Sequence, residues 1–131
     1  MSDDDKKDVK DRRKHKRFKI KSGTCTVNEK SADIIDISIG GMAFSYLDDG
    51  EWTDETFDRG MLLGEKDLCL EDVPFKIISD CAINAGLTIT KRRGVKFEKL
   101  TDKQLAQLEY YIWTNTDAKE EEITIVNEDS S

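Results

Sequence analysis

The chain has 131 residues, 37% hydrophobic and 37% charged, with one proline and eight glycines. That is enough for one domain whose core needs neither disulfides nor a metal, and the composition excludes collagen-like or low-complexity material. No run approaches the roughly 18 to 20 apolar residues that span a bilayer, and Met1–Lys7 lacks the apolar stretch of a secretory signal. The expectation is a small cytosolic domain, not inserted in a membrane.

The net charge of −7 conceals an asymmetry. Residues 1–21 contain ten Lys/Arg and five Asp, a net of +5, and the remaining 110 residues net −12. The positive charge peaks at Arg12-Arg13-Lys14-His15-Lys16-Arg17. Such an arm suits an anionic ligand, a nucleic acid, or solvent alone. Residues 1–11 alternate Asp and Lys with little apolar content and are read as a disordered arm, with the folded domain spanning 12–116.

From Arg17 onward apolar residues recur with period two, the signature of half-buried strands. Phe18 and Ile20 share one face, as do Cys25 and Val27, and Gly23 between them absorbs the change of parity. Ile35, Ile37 and Ile39 alternate with Asp36 and Ser38; after Gly40-Gly41, Met42, Phe44 and Tyr46 alternate again, predicting two strands joined by a tight glycine turn. Residues 48–60 are acidic and aperiodic and read as a loop pinned by Trp52 and Phe57. Further strands are expected around Leu68/Leu70, Phe75/Ile77 with Cys81/Ile83, Leu87/Ile89 and Val95/Phe97. This reading places Cys81 on the apolar side of its strand and makes Cys69 the more exposed thiol.

The pattern then turns helical. Thr101 and Gln104 form a capping box, Leu100 and Leu105 a hydrophobic staple, and Leu105, Leu108, Tyr111 and Ile112 an apolar stripe ending near Asn115. Residues 117–131 read as an acidic, flexible tail. Six or seven short strands followed by one helix predict a mainly β fold: an antiparallel β-barrel with a C-terminal α-helix beside it. Three widely spaced cysteines and one histidine, His15, supply neither a metal-binding pattern nor a disulfide framework. No nucleotide-binding loop, zinc-protease helix or nucleophile elbow is present, so no enzyme and no cofactor is expected.

Two spacings carry the functional reading. Arg13 and Arg17 form R-x-x-x-R, with Arg12 immediately before; Asp36, Ser38 and Gly41 form D-x-S-x-x-G, with Gly40 in the same turn. Arginine forks match phosphate oxygens and the O6/N7 edge of guanine. A carboxylate can accept from guanine N1–H and N2–H₂, a hydroxyl suits base or phosphate, and glycine permits close approach. The set suits an anionic, guanine-bearing small molecule lying across a barrel surface. A nucleic-acid-binding barrel is the main rival, but a surface of net −12 repels a phosphate backbone.

In these two motifs, and in Arg93-Gly94-Val95-Lys96-Phe97 running into the capped helix, the sequence resembles the PilZ domain family, bacterial receptors for cyclic di-GMP. The resemblance covers roughly Asp11 to Asn115 and implies a six-stranded barrel with flanking helical elements. It implies that Arg13 and Arg17 grip guanine edges and phosphates, with Asp36, Ser38 and Gly41 holding the ligand from the barrel side. Arg12 would stack on a second guanine in a bound pair. The expected mechanism is ordering of the arm over cyclic di-GMP, creating a surface for a separate downstream protein. The loop 48–60, Trp113 and the acidic tail are candidate contacts for that protein. A ligand-free structural relative that serves only in protein interaction is the other alternative.

Overall fold

A computed structural model describes residues 15–50, 52, 57–65, 68–86 and 89–124. Arg12, Arg13, the 1–11 arm, Leu87, Ile125 and Val126 lie outside the described residues. Seven strands run in chain order: β1 (Phe18–Lys19), β2 (Thr24–Val27), β3 (Lys30–Ile37), β4 (Gly41–Asp48), β5 (Phe57–Leu63), β6 (Cys69–Ala85) and β7 (Ile89–Phe97). The helix α1 (Asp102–Asn115) follows, then a 3₁₀ turn at Glu120–Glu122. Neighbouring strands pair antiparallel in the order β1-β3-β2-β5-β6-β7-β4, and β4 pairs back onto β3. Strands β2 to β7 thus close a six-stranded antiparallel barrel, within the six or seven strands that the sequence predicted, and β1 is an extra strand. Closure gives these strands partners on both sides and leaves one interior to fill.

β1 and β2 lie along one edge of β3, interrupted at Lys21–Gly23. Ile20 N–H donates to Ile35 O (3.1 Å), and Ile34 N–H to Gly23 O (3.1 Å). β2 and β3 turn through Asn28 and Glu29, both with positive φ (51° and 68°), as a primed two-residue hairpin requires. Inside the barrel, Cys25, Ile37, Met42, Phe44, Leu62, Leu70, Phe75 and Val95 are at most 1% exposed.

Three departures from the sequence reading share one cause, β-bulges and glycine that hide the period of two. β5 falls partly within the segment read as loop because its inward positions are Gly60 and Leu62, leaving a single apolar side chain to signal it. β6 is continuous over Cys69–Ala85, joining the two strands expected at Leu68/Leu70 and at Phe75/Ile77 with Cys81/Ile83. Its register shifts between Ile77 and Ser79, so Ile77 faces Val95 whereas Ser79 faces Gly94 and Cys81 faces Arg92. That inversion turns Cys81 outward: it is exposed, and Cys69 is only partly so, the reverse of the expectation. Ile83 is likewise 54% exposed.

The helix begins as predicted. Thr101 Oγ1 accepts from Gln104 N–H and Gln104 Oε1 from Thr101 N–H, both at 3.0 Å. Gln104 Nε2 also donates to the Glu71 and Asp72 carbonyls, tying the first turn to β6. Leu108, Tyr111 and Ile112 are fully buried, and Leu100 packs against the core while Leu105 is 36% exposed. At the other end Asn115 is fully buried: Oδ1 accepts from Glu65 N–H, Nδ2 donates to Tyr111 O, and its carbonyl accepts from Lys21 N–H. The boundary expected at residue 116 falls inside this packing, because Ala118 and Ile123 belong to the core.

Glu29 occupies a left-handed conformation that disfavours a residue with a Cβ, and Asn-Gly is the favoured pair for this turn. Glu29→Gly is expected to stabilise the protein by up to about 1 kcal/mol, read as a raised urea midpoint.

Candidate functional site

The hairpin between β3 and β4 brings the second motif into position. The register of β3 against β4 shifts between Ile34 and Asp36: Ile34 faces Phe44, whereas Asp36 faces Ala43. Ile35 is the extra residue, so both Ile34 and Ile37 point into the core and Asp36 points outward between them. The expected face of Ile35 and Ile37 is therefore half right. Without the bulge, Asp36 would share the inward face of Ile34.

On the outer wall Asp36 meets two arginines. Arg17 Nη1 donates to Oδ1 at 2.8 Å and Arg92 Nη2 to Oδ2 at 3.3 Å. The Arg17 and Asp36 side chains are 15% and 16% exposed, screened enough from solvent for the contact to order both. Arg17 and Asp36 thus join the two motifs across 19 positions of sequence. Arg92 was absent from the sequence reading, which took β7 as fold rather than site. The available signal was an arginine one residue from the Arg93-Gly94 pair already identified.

Ser38 is 3% exposed, and its hydroxyl accepts from the N–H groups of Gly40 (3.1 Å) and Gly41 (3.2 Å). Ser38 N–H donates to Gly41 O at 2.8 Å, closing the turn. The two glycines answer to close approach rather than to unusual torsions. A Cβ on Gly41 would stand 2.2 Å from the Val95 carbonyl oxygen on β7, and one on Gly40 would stand 2.6 Å from the His15 ring. His15 is consequently packed against the motif turn rather than solvated. Lys16 pairs with Glu122 at 2.9 Å and approaches the Phe18 ring.

A second polar cluster uses the inward face of β7. Arg93, 3% exposed, donates to Asp80 Oδ2 (2.9 Å) and Tyr46 Oη (3.2 Å) and lies over the Tyr46 ring. Burial and the neighbouring Asp80 acceptor push the Tyr46 phenol up to about 12, so it remains a donor to that carboxylate. Trp52 packs on Tyr46 with ring centroids 4.4 Å apart, which places it in the anchoring role expected for it. Burial likewise pushes the Cys25 thiol up to about 12. Among the described residues no group of three or more His, Cys, Asp or Glu side chains could hold a metal ion, and no helix is long and apolar enough to cross a membrane. A shallow cleft of about 290 Å³ is lined by Asp58, Arg59, Pro74, Phe75 and Glu98, none of them in the two motifs.

The fold and site together define a closed antiparallel barrel with an open outer face on which two arginines share a carboxylate. No family model matches the chain, and no curated protein matches it. Among solved structures, its fold is similar to that of the Borreliella burgdorferi PlzA protein in complex with c-di-GMP, with a TM-score of 0.54 at 12% identity. The match covers 88% of this chain and 58% of PlzA, so the chain spans less than two thirds of that protein's length. An uncharacterized Legionella protein, Lpg0364, aligns with a TM-score of 0.49 at 15% identity, covering 72% of this chain and 86% of that one. At these identities the likeness is one of fold.

Gly41→Ala is expected to destabilise the protein by about 1–3 kcal/mol, because the contact is with β7 backbone that cannot rotate away. Thermal melting alongside Gly50→Ala distinguishes this from a general glycine effect, since a Cβ at Gly50 meets no atom within 4 Å although its φ of +85° adds a backbone cost there.

Proposed function

We propose that this protein is a PilZ-like receptor for cyclic di-GMP. The observation that carries the reading is the 2.8 Å contact between Arg17 and Asp36, which unites the arginine motif with the D-x-S-x-x-G turn on the outer barrel wall. The fold likeness to PlzA, a protein solved with that ligand, supports it.

In this reading Arg17 and Arg13 donate to guanine edges and phosphate oxygens. Arg17 uses one of its five N–H donors on Asp36, which holds the guanidinium in place while the others face a ligand. Asp36 keeps lone pairs for the guanine N1–H and N2–H₂ edge, since each of its oxygens accepts one arginine. Ser38, Gly40 and Gly41 contribute by fixing the turn that carries Asp36. Arg12 lies one residue ahead of the motif and stacks on the second guanine of a bound pair. Ordering the arm from Arg12 onward over the ligand creates a new surface, which a separate downstream protein reads.

Calorimetric titration of cyclic di-GMP tests the proposal. Saturable binding near 1 μM, about −8 kcal/mol, is expected for the wild type. Arg13→Ala and Arg17→Ala each remove charge-assisted hydrogen bonds of about 1.5–3 kcal/mol and should weaken binding at least tenfold. Absence of binding heat at high micromolar ligand, in protein shown to be folded, would sink the receptor reading in favour of a ligand-free interaction module. The stoichiometry decides between one ligand and a stacked pair.

A further inference from the structure

Arg92 belongs to neither motif, yet it reaches the same carboxylate. It stands on β7, cross-strand from Ser45 on β4 and from Cys81 on β6, on the wall's outer face. The next outward positions toward the motif turn are Ala43 and Gly94, which face each other and are both small. Asp36 lies across from Ala43 on the other side. Arg17 and Arg92 therefore approach Asp36 from two different strands and each takes one oxygen.

Charge and exposure decide what this arrangement does. Two guanidinium groups on one carboxylate leave a net positive charge after internal pairing. The Arg92 side chain is 31% exposed, twice the 15% of Arg17. An ion pair that open adds little to stability, so fastening β7 to β3 is a weak account of it. An arginine fork held in place at one N–H and still 31% exposed is instead placed to receive an anion.

Resting on the receptor reading above, we infer that Arg92 is a further ligand-binding arginine beside Arg12, Arg13 and Arg17, and that Asp36 also acts as the carboxylate that spaces Arg17 and Arg92 for the two phosphodiesters of one cyclic dinucleotide. Each phosphodiester bears one negative charge and meets one arginine, and the Arg17–Asp36–Arg92 cluster, net +1 after internal pairing, offsets one of the two charges. The footprint then runs from the motif turn across β4 and β7 to the edge of Cys81. Cys25 is buried and Cys69 partly buried, which makes Cys81 the exposed thiol that reports on this region.

The test is titration of cyclic di-GMP into the full chain carrying Arg92→Ala or Arg92→Lys, with folding verified by thermal melting. Alkylation of Cys81 by iodoacetamide is followed in parallel by peptide mass spectrometry. Arg92→Ala is expected to weaken binding about tenfold or more and to flatten its salt dependence. Arg92→Lys should recover part of the loss, because it keeps the charge but not the fork. Saturating ligand should slow alkylation of Cys81 in the wild type. Binding that is abolished by Arg17→Ala but unchanged by Arg92→Ala overturns this inference alone, as does Cys81 reacting equally fast with and without ligand. No binding by the wild type overturns the receptor reading and this inference with it.

Discussion

The extra residue Ile35 in β3 governs how this barrel can have both a closed core and a charged outer wall. Closure demands that Ile34 and Ile37 both face inward, where they meet Phe44 and Met42. Three positions separate them, an odd number, which a regular strand cannot reconcile with one face. The bulge absorbs the odd residue and leaves Asp36 outward. A carboxylate that would otherwise enter the core against Met42 is delivered to Arg17 and Arg92 instead. Core packing and site geometry are therefore one constraint, and relieving the bulge would cost both.

The turn that follows shows how little of a motif need touch a ligand to be required. Ser38 is spent on the backbone N–H groups of its own turn. Gly41 admits the β7 carbonyl of Val95, and Gly40 admits His15. These residues act by permitting close approach between main chains, which sets where Asp36 stands. Asp36 is the one motif side chain from the barrel that reaches an arginine on the outer wall.

The helix α1 is held by polar anchors as much as by its apolar stripe. Asn115 alone links the helix end to Glu65 and, through its carbonyl, to Lys21 at the β1–β2 interruption. Tyr111 adds a hydrogen bond to Leu63 O at 2.7 Å. The strand break is thus stabilised by the helix, so the segment leading from Arg17 into β2 depends on residues nearly a hundred positions later. Ala118 and Ile123 extend this packing beyond the helix, and the Lys16–Glu122 and Lys21–Asp117 pairs lie along the same border.

Much of this was legible in the residues themselves. Period-two alternation marked β1 to β4 and the capping box at Thr101–Gln104 marked the helix start, because each is a local pattern fixed by backbone geometry; the two motif spacings singled out Arg17 and Asp36, which the fold brings into contact. The sequence by itself also determined the mainly β class and the single C-terminal helix. The bulges were not legible: a register shift is set by the partner strand, so the face of Ile35, the exposure of Cys81 and the continuity of β6 could not be read from one strand alone. β5 was hidden because glycine fills an inward position. Only the tertiary structure brought Arg92 to Asp36, 56 positions away. It did so because closing the barrel sets β7 beside β4, and no local pattern records which strands a closed sheet makes neighbours.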